Sequence, residues 1–190
     1  MTHERFVDTW RAAGSGRSGL LRNVVDQNPP EVYTRPEFDG IEIVVGDAAG
    51  SAEGLREVLD PETTTFVRAR EFAVLDRGFG PVKFMSLLRR KEGTTPEEFS
   101  DYWFGSHAPL VKTIVEVSKY FKGYVQNHCV PETRVGGREV DGIVEIWFSS
   151  LEDLRAAMFS SNYMGDLRAD EANFVALPNR RMLVVEDSAT

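Results

Sequence analysis

The sequence predicts an α+β protein made of two ferredoxin-like modules that share one core. Three observations predict it. Six short segments of the first half recur in the same order in the second half, which indicates an internal duplication. The second copy has the order strand, helices, strand, strand, helix, strand, which is the ferredoxin-like βαββαβ arrangement. Its strands are apolar on both faces, so its sheet needs a second sheet or a partner on the face opposite the helices.

The duplication is clearest in the first helix of each copy. Glu4–Trp10 and Glu97–Trp103 carry Phe, Asp and Trp in the same relative places. The later matches pair residues 25–28 with 125–127, 39–43 with 141–146, 55–56 with 154–155, 66–67 with 174–175, and the apolar stretch 72–75 with 182–185. We therefore divide the chain into a degenerate module, 1–78, and a complete module, 79–190. Only three residues precede Glu4, so the first module lacks its first strand or another segment takes that place.

The second copy begins with a strand and a capped helix. Val82–Leu88 is an apolar run that suits a buried strand. Thr95 is a helix N-cap, Pro96 occupies the first helical position, and Glu98 completes a capping box. Apolar residues at spacings of three and four predict a second helix over about 109–120.

The remaining elements follow from alternating apolar patterns and turn signals. Two strands pair as an antiparallel hairpin around a glycine-rich turn, and Ser150 begins the next helix. In the second copy the expected strands are 124–130, 143–148, 174–177 and 181–185, with the hairpin turn at 135–138. In the first copy we expect a helix at about 4–13, strands at 20–26 and 40–46, a helix at 51–59 and a strand at 66–75.

Composition excludes several classes of function. With 30 acidic and 22 basic residues the net charge is -8, which disfavours nucleic acid and anionic membranes as partners. The single cysteine, Cys129, excludes an intramolecular disulfide, and the three histidines lack zinc-ligand spacing. Gly14–Gly19 is glycine-rich but follows a helix, the wrong context for a dinucleotide loop. No apolar run could span a bilayer and no signal-peptide core is present, so we expect a cytoplasmic protein without metal or cofactor.

Three strings in the second copy carry a family resemblance. Pro96–Trp103, His107–Val111 and Tyr124–His128 together resemble the EthD family of the dimeric α+β barrel superfamily. The match covers about residues 82–186, and residues 4–75 resemble the same module in degenerate form. The chain thus looks like a tandem, internally pseudo-dimeric version. Because members of this kind often join two sheets across a homodimer, the resemblance also leaves a homodimer open.

The resemblance implies small, mostly aromatic substrates that bind between the sheet and the helices. We predict a cofactor-independent lyase or isomerase, of the dehydration, cyclisation or decarboxylation type, acting on a small aromatic or polyketide-like metabolite. One alternative is a non-catalytic ligand-binding or accessory protein of an oxygenase or degradation pathway. Another is a heme-dependent oxygenase with His107 as the iron ligand, although nothing in the sequence favours it. Fold-level analogy alone does not decide among them.

His107 is the foremost catalytic candidate. An imidazole, with an ordinary pKa near 6.5, can give and take a proton near neutral pH. A glycine-serine break precedes His107 and Pro109 follows it, which places it at a helix junction. Its counterpart in the first copy is Gly14, so the first copy is expected to be non-catalytic. The structural alternative is that His107 only caps the following helix.

Five further residues are candidates around His107. Tyr102 is the second catalytic candidate, because a phenol can orient a substrate oxygen or stabilise an enolate. Asn127, Trp103, His128 and Glu145 are the substrate-binding candidates. Trp103 recurs in the first copy as Trp10, which favours a packing role, and Asn127 and Glu145 also have counterparts there. By the period of two along a strand, Asn127 and His128 face opposite sides. An acid among apolar strand residues, such as Glu145, lies at a wet face or in a pocket.

Overall fold

The computed structural model describes residues 20–25, 40–44, 64–135, 139–176 and 181–187. The expected helices at 4–13 and 51–59, Gly14 and most of the hairpin turn lie outside these residues. Of the helices that are described, none has both the length and the apolar character needed to cross a membrane.

A seven-stranded antiparallel sheet forms the framework, in the spatial order β2-β1-β7-β4-β6-β5-β3. Its strands are β1 (Leu20–Val25), β2 (Gly40–Val44), β3 (Phe66–Asp76), β4 (Val82–Leu88), β5 (Gly123–Val135), β6 (Gly142–Phe148) and β7 (Arg181–Asp187).

The four central strands, β7-β4-β6-β5, have the order of a ferredoxin-like sheet, so the predicted α+β class is confirmed. The predicted hairpin of β5 and β6 is also confirmed, with Asn127 opposite Ile143. Strands from the first half extend this sheet at both edges, β1 beside β7 and β3 beside β5. The division of the chain near residue 78 stays a prediction.

The first helix of the second half begins where its capping signal lies. In α1 (Pro96–Tyr102), the Glu98 amide donates to Thr95 Oγ1 at 3.1 Å and the Thr95 amide donates to Glu98 Oε2 at 2.8 Å. Two backbone donors that have no partner inside the helix are thereby satisfied. The predicted capping box is confirmed.

A π-helical turn, Trp103–His107, continues α1 into α2 (Ala108–Thr113). The Ala108 amide donates to the Trp103 carbonyl, five residues back, and the buried Gln126 side chain donates to the same carbonyl at 3.3 Å. Pro109 has no amide proton with which to continue a regular ladder at this point. The wider turn therefore suits both the proline and the second hydrogen bond to Trp103.

The continuous helix expected over 109–120 is wrong. It breaks at Ile114, whose ψ of 82° is not helical, and resumes as the short α3 (Val115–Ser118). The break turns Val117, which has no exposed surface, into the core. Spacings of three and four alone could not reveal a break that reorients the helix between two buried faces.

The second helical segment contains a similar π-helical turn. Ser150 caps α4 (Leu151–Met158) by accepting from the Asp153 amide at 3.1 Å, as predicted. The π-helical turn Tyr163–Leu167 then leads into α5 (Arg168–Glu171). The helices lie on one face of the central strands and cover a core that includes Phe84, Phe99, Trp103, Phe148 and Leu154.

The strand predicted at 174–177 is wrong over its described residues. Phe174 and Val175 leave the turn after α5, and only Val175 makes a β-bridge, to Arg90. The two residues are consecutive and both are at least 97% buried. A strand would direct them to opposite faces, but here both pack into the same core, because the segment rests against the end of β4 through the Lys91 amide and Phe174 carbonyl at 2.7 Å.

Candidate active site

A cavity lies between the helices and the central sheet. Its empty space is about 430 Å³, counting the part that is open to solvent. Most of the lining is apolar. The residues with polar side-chain atoms that could meet a ligand are Trp103, His107, Tyr124, Tyr163 and Glu171, and none of the described lining residues is Lys or Arg.

Both π-helical turns contribute to this lining in the same way. The first and last residues of one turn, Trp103 and His107, line the cavity, as do the first and last of the other, Tyr163 and Leu167. π-helical turns are uncommon and occur often at functional sites, because the extra residue redirects side chains. The two turns thus form matching parts of the cavity wall.

Asp170 holds His107 at the cavity. His107 is 94% buried, and its Nδ1 lies 2.7 Å from Asp170 Oδ2. The other carboxylate oxygen, Oδ1, accepts a hydrogen bond from the Tyr102 hydroxyl at 2.7 Å, and Asn173 Nδ2 donates to that hydroxyl at 3.0 Å. A carboxylate can only accept, so Nδ1 carries the proton in this pair, and Nε2 is the ring nitrogen that Asp170 does not engage.

Tyr102 lies beside this pair instead of at the cavity surface. The hydrogen bond to Asp170 raises the pKa of the Tyr102 phenol above its ordinary value of 10.0, with desolvation and the carboxylate charge acting in the same direction. The phenol therefore stays protonated and remains a donor to Asp170 at neutral pH. Tyr102 and His107 are linked because both are hydrogen-bonded to Asp170; they do not both line the cavity.

Glu171, the next residue after Asp170, reaches the cavity. It is 95% buried, and Tyr163 donates to its Oε1 at 3.3 Å. Phe174 packs against the other side of this region, with its ring centroid 5.0 Å from that of His107. The cavity thus contains one imidazole and one carboxyl group within a mostly apolar wall.

A hydrogen-bonded chain of neutral side chains supports the first π-helical turn. Gln126 Nε2 donates to the Tyr124 hydroxyl at 2.8 Å as well as to the Trp103 carbonyl, so Gln126 Oε1 faces His128 Nε2 at 3.1 Å. That nitrogen must be the donor, and the Ser100 hydroxyl donates to His128 Nδ1 at 2.6 Å. These partners assign a neutral imidazole.

His128 is packed as a core residue behind the cavity wall. Its ring stacks on Trp103 with 4.4 Å between centroids and 20° between planes, and Phe72 covers it at 4.5 Å. Burial lowers the pKa of His128 from 6.5 to about 4. A group with so low a pKa is a weak base at neutral pH, and His128 does not line the cavity.

Asn127 and Glu145 lie on the face of the sheet away from the helices. Asn127 Nδ2 donates to Glu145 Oε1 at 2.7 Å, and Glu145 pairs with the fully buried Lys83. The Lys83 ammonium also lies 4.5 Å from the centroid of the Trp147 ring. Neither Asn127 nor Glu145 lines the cavity.

The structure therefore brings together a different set of residues from the one the sequence predicted. Of the six candidates, His107 and Trp103 line the cavity, Tyr102 and His128 support its wall, and Asn127 and Glu145 lie across the sheet. Sequence reasoning missed Asp170, Glu171, Tyr124 and Tyr163. The first two stand more than sixty positions from His107 in an ordinary acidic helix, and no spacing in the sequence marks them.

Metal binding finds no support among the described residues, where no group of three or more His, Cys, Asp or Glu side chains could hold an ion. Burial raises the pKa of the Cys129 thiol to about 12. This cysteine is therefore unreactive as a nucleophile at neutral pH, because the thiolate is the reacting form.

Comparison with known proteins identifies the second half of the chain. Residues 91–178 match the EthD domain family, so this part of the chain is an EthD domain, as its motifs indicated. A search of curated proteins found no match. Matches to solved structures span nearly the whole chain at low identity.

Two of these structures illustrate the relation. An anthrone oxidase-like protein is 11% identical over 97% of this chain and 84% of its own, with a TM-score of 0.59. A monooxygenase-like protein from Lactobacillus acidophilus NCFM is also 11% identical, over 97% of this chain and 85% of its own, with a TM-score of 0.48. At this identity the first relation shows a shared fold alone.

Proposed function

We propose that the protein is a cofactor-independent lyase or isomerase that acts on a small aromatic or polyketide-like metabolite. The observation that carries the proposal is His107, buried at the cavity with Nδ1 on Asp170. An oriented imidazole at an otherwise apolar cavity is suited to general acid–base chemistry. The EthD domain supports a small-molecule-processing protein and leaves the reaction open.

In this proposal Asp170 and Tyr102 act on His107 and not on the substrate. Asp170 accepts a hydrogen bond from Nδ1–H, which keeps that proton on the ring and thereby makes Nε2 the nitrogen that takes a proton from the ligand or returns one. It also stabilises the imidazolium that forms when Nε2 is protonated. Tyr102 and Asn173 hold the carboxylate through the phenol oxygen. Tyr102 is therefore a positioning residue, a different role from the one predicted.

The reaction requires removal of a proton from a carbon next to a carbonyl or an aromatic ring. His107 Nε2 takes that proton while the C–H electron pair forms a new double bond. In an isomerase the proton returns at another atom, and in a dehydratase it leaves with a hydroxyl group as water. Neither outcome needs an oxidant or a reductant, which fits a cofactor-independent enzyme.

The test is to follow ligands by mass spectrometry with the wild-type protein and the His107→Ala variant. Ligands that co-purify, together with a panel of hydroxylated aromatic ketones that includes an anthrone, are analysed before and after incubation. We expect the wild type to release an isomer or a dehydrated product, and the variant to be slower by roughly 10²–10⁴-fold. Equal turnover by the two proteins would contradict the role of His107.

The same experiment separates the alternatives. An accessory or binding protein would return the ligand unchanged, and His107→Ala would alter only its affinity. A monooxygenase activity would add oxygen mass and consume dioxygen. A heme-dependent oxygenase would develop a Soret band when hemin is added, and that band would disappear in the His107→Ala variant.

A further inference from the structure

We propose that Glu171 is a second catalytic residue, which exchanges a proton with the ligand in the opposite sense to His107. The proposal rests on the function proposed above and extends it to a residue that neither motif nor spacing marks. Glu171 lines the same cavity as His107 and is 95% buried. Its Oε1 accepts the hydrogen bond from Tyr163, which also lines the cavity.

The adjacent carboxylates Asp170 and Glu171 have different surroundings. Neighbouring residues of a helix point about 100° apart. Asp170 directs both oxygens to His107 and Tyr102 and does not line the cavity. Glu171 points into the cavity. One turn at the end of α5 therefore supplies both a carboxylate that positions the imidazole and a carboxyl group that can meet the ligand.

Glu171 places a carboxyl group in a mostly apolar part of the cavity wall. The rest of the lining is dominated by aliphatic and aromatic side chains, such as Leu88, Val144 and Ile146, and burial of a carboxylate in such surroundings is unfavourable. Buried ionisable groups that share a cavity with another acid–base group are typical of catalytic sites.

The pair of groups can carry out enolisation of an uncharged ketone. One group takes a proton from the carbon next to the carbonyl, and the C–H electrons form the carbon–carbon double bond. The other group gives its proton to the carbonyl oxygen, and the enol results. The substrate keeps its atoms and its oxidation state, and reversal in heavy water replaces hydrogen by deuterium on that carbon. An uncharged substrate fits, because the described lining contains a carboxyl group and no Lys or Arg.

The test uses the full chain with β-tetralone, an enolisable ketone fused to an aromatic ring, in heavy water. Proton NMR follows the loss of hydrogen at the carbons beside the carbonyl. We expect the wild type to exchange faster than buffer, and Glu171→Gln to lose roughly 10²-fold or more of that rate. Binding of β-tetralone, measured by saturation transfer, should change by no more than a few-fold.

A matched control removes the same charge outside the cavity. Asp166 is exposed in the preceding π-helical turn, so Asp166→Asn should exchange at the wild-type rate. Glu171→Asp keeps the acid on a shorter side chain and should retain part of the rate. If Glu171→Gln fails to fold, the Glu171→Asp variant still tests the proposal. An exchange rate in Glu171→Asp that is no lower than the wild-type rate would overturn it.

The outcomes distinguish this proposal from the one on which it rests. Wild-type exchange in Glu171→Gln, together with loss in His107→Ala, would overturn the role of Glu171 and leave that of His107 intact. Loss of exchange in Glu171→Gln together with wild-type exchange in His107→Ala would overturn the role of His107 and leave that of Glu171 intact. A wild-type protein no faster than buffer would overturn the proposed pair.

Discussion

The two faces of the central sheet are built from alternating residues of the same strands, yet their chemistry differs. On the helix side, Gln126 joins a chain of neutral side chains behind the cavity. On the other side, its neighbour Asn127 binds Glu145, which is paired with Lys83. One position along a strand therefore separates a neutral, hydrogen-bonded support from a buried ion pair.

The two faces differ in whether their ionisable groups are paired with each other or lie at a cavity. The ion pair across the sheet satisfies its charges internally, and no described cavity opens on it. The neutral chain on the helix side holds the Trp103 carbonyl, and ionisable groups reach the cavity at His107 and Glu171, with Asp170 bonded to His107. Glu145, a substrate-binding candidate from the sequence, therefore lies in the ion pair with Lys83 and not at the cavity.

Breaking the ion pair should have the largest effect on stability. Lys83→Met leaves the Glu145 carboxylate buried without its cation, and we expect a loss of roughly 3–5 kcal/mol in the free energy of unfolding. Chemical denaturation measures it. The double variant Lys83→Met, Glu145→Leu removes both charges and should recover most of that loss. If it is no more stable than the single variant, the pair does not act as a unit.

On the helix side of the sheet, lowering the pH should reduce the free energy of unfolding chiefly through His128. Its pKa is about 4 in the folded protein and 6.5 in the reference state, so the unfolded chain binds the extra proton between these values. The contribution of His128 is complete above pH 6.5 and is lost as the pH falls toward 4, by at most about 3 kcal/mol. Unfolding in urea across this range should show a flatter pH dependence for His128→Gln than for the wild type.

A smaller effect is expected where β6 meets the cavity wall. A Cβ added at Gly142 would lie 2.4 Å from a ring carbon of Trp103 and 2.9 Å from another. Gly142→Ala must displace that buried ring, which should cost roughly 1–3 kcal/mol. Gly105→Ala is the matched control, because nothing lies within 4 Å of its added Cβ. Thermal unfolding should show a lower Tm for the first variant, and equal values would contradict this packing.

The smallest effect concerns the Tyr102 phenol beside His107 and Asp170. Asp170→Asn removes the carboxylate that raises the pKa of Tyr102, so that pKa should fall toward its ordinary value of 10.0. Ultraviolet titration of tyrosinate, with Tyr102→Phe to assign the signal, measures the shift. An unchanged Tyr102 pKa would show that Asp170 does not hold the phenol in solution.

Local signals in the sequence predicted much of the second half. The capping box at Thr95, the strand Val82–Leu88 and the hairpin of β5 and β6 depend on neighbouring residues or on a period of two, and each was confirmed. The prediction of a strand at 174–177 was wrong because its apolar residues are fixed by packing in the core and not by the period of two of a sheet. The helix break at Ile114 was not predicted because it too is set by packing in the core, and the spacing of apolar residues does not show it.

The sequence by itself determined the α+β class and the EthD domain, and it predicted His107 as the foremost candidate, because these rest on local periodicity and on contiguous motifs. Only the tertiary structure decided which groups surround that histidine. Asp170 and Glu171 are more than sixty residues away in the chain, and the packing of two helical segments on one sheet brings them to it. Contacts of this kind join residues that are close in space but distant in the sequence, so the spacing of residues along the chain does not predict them.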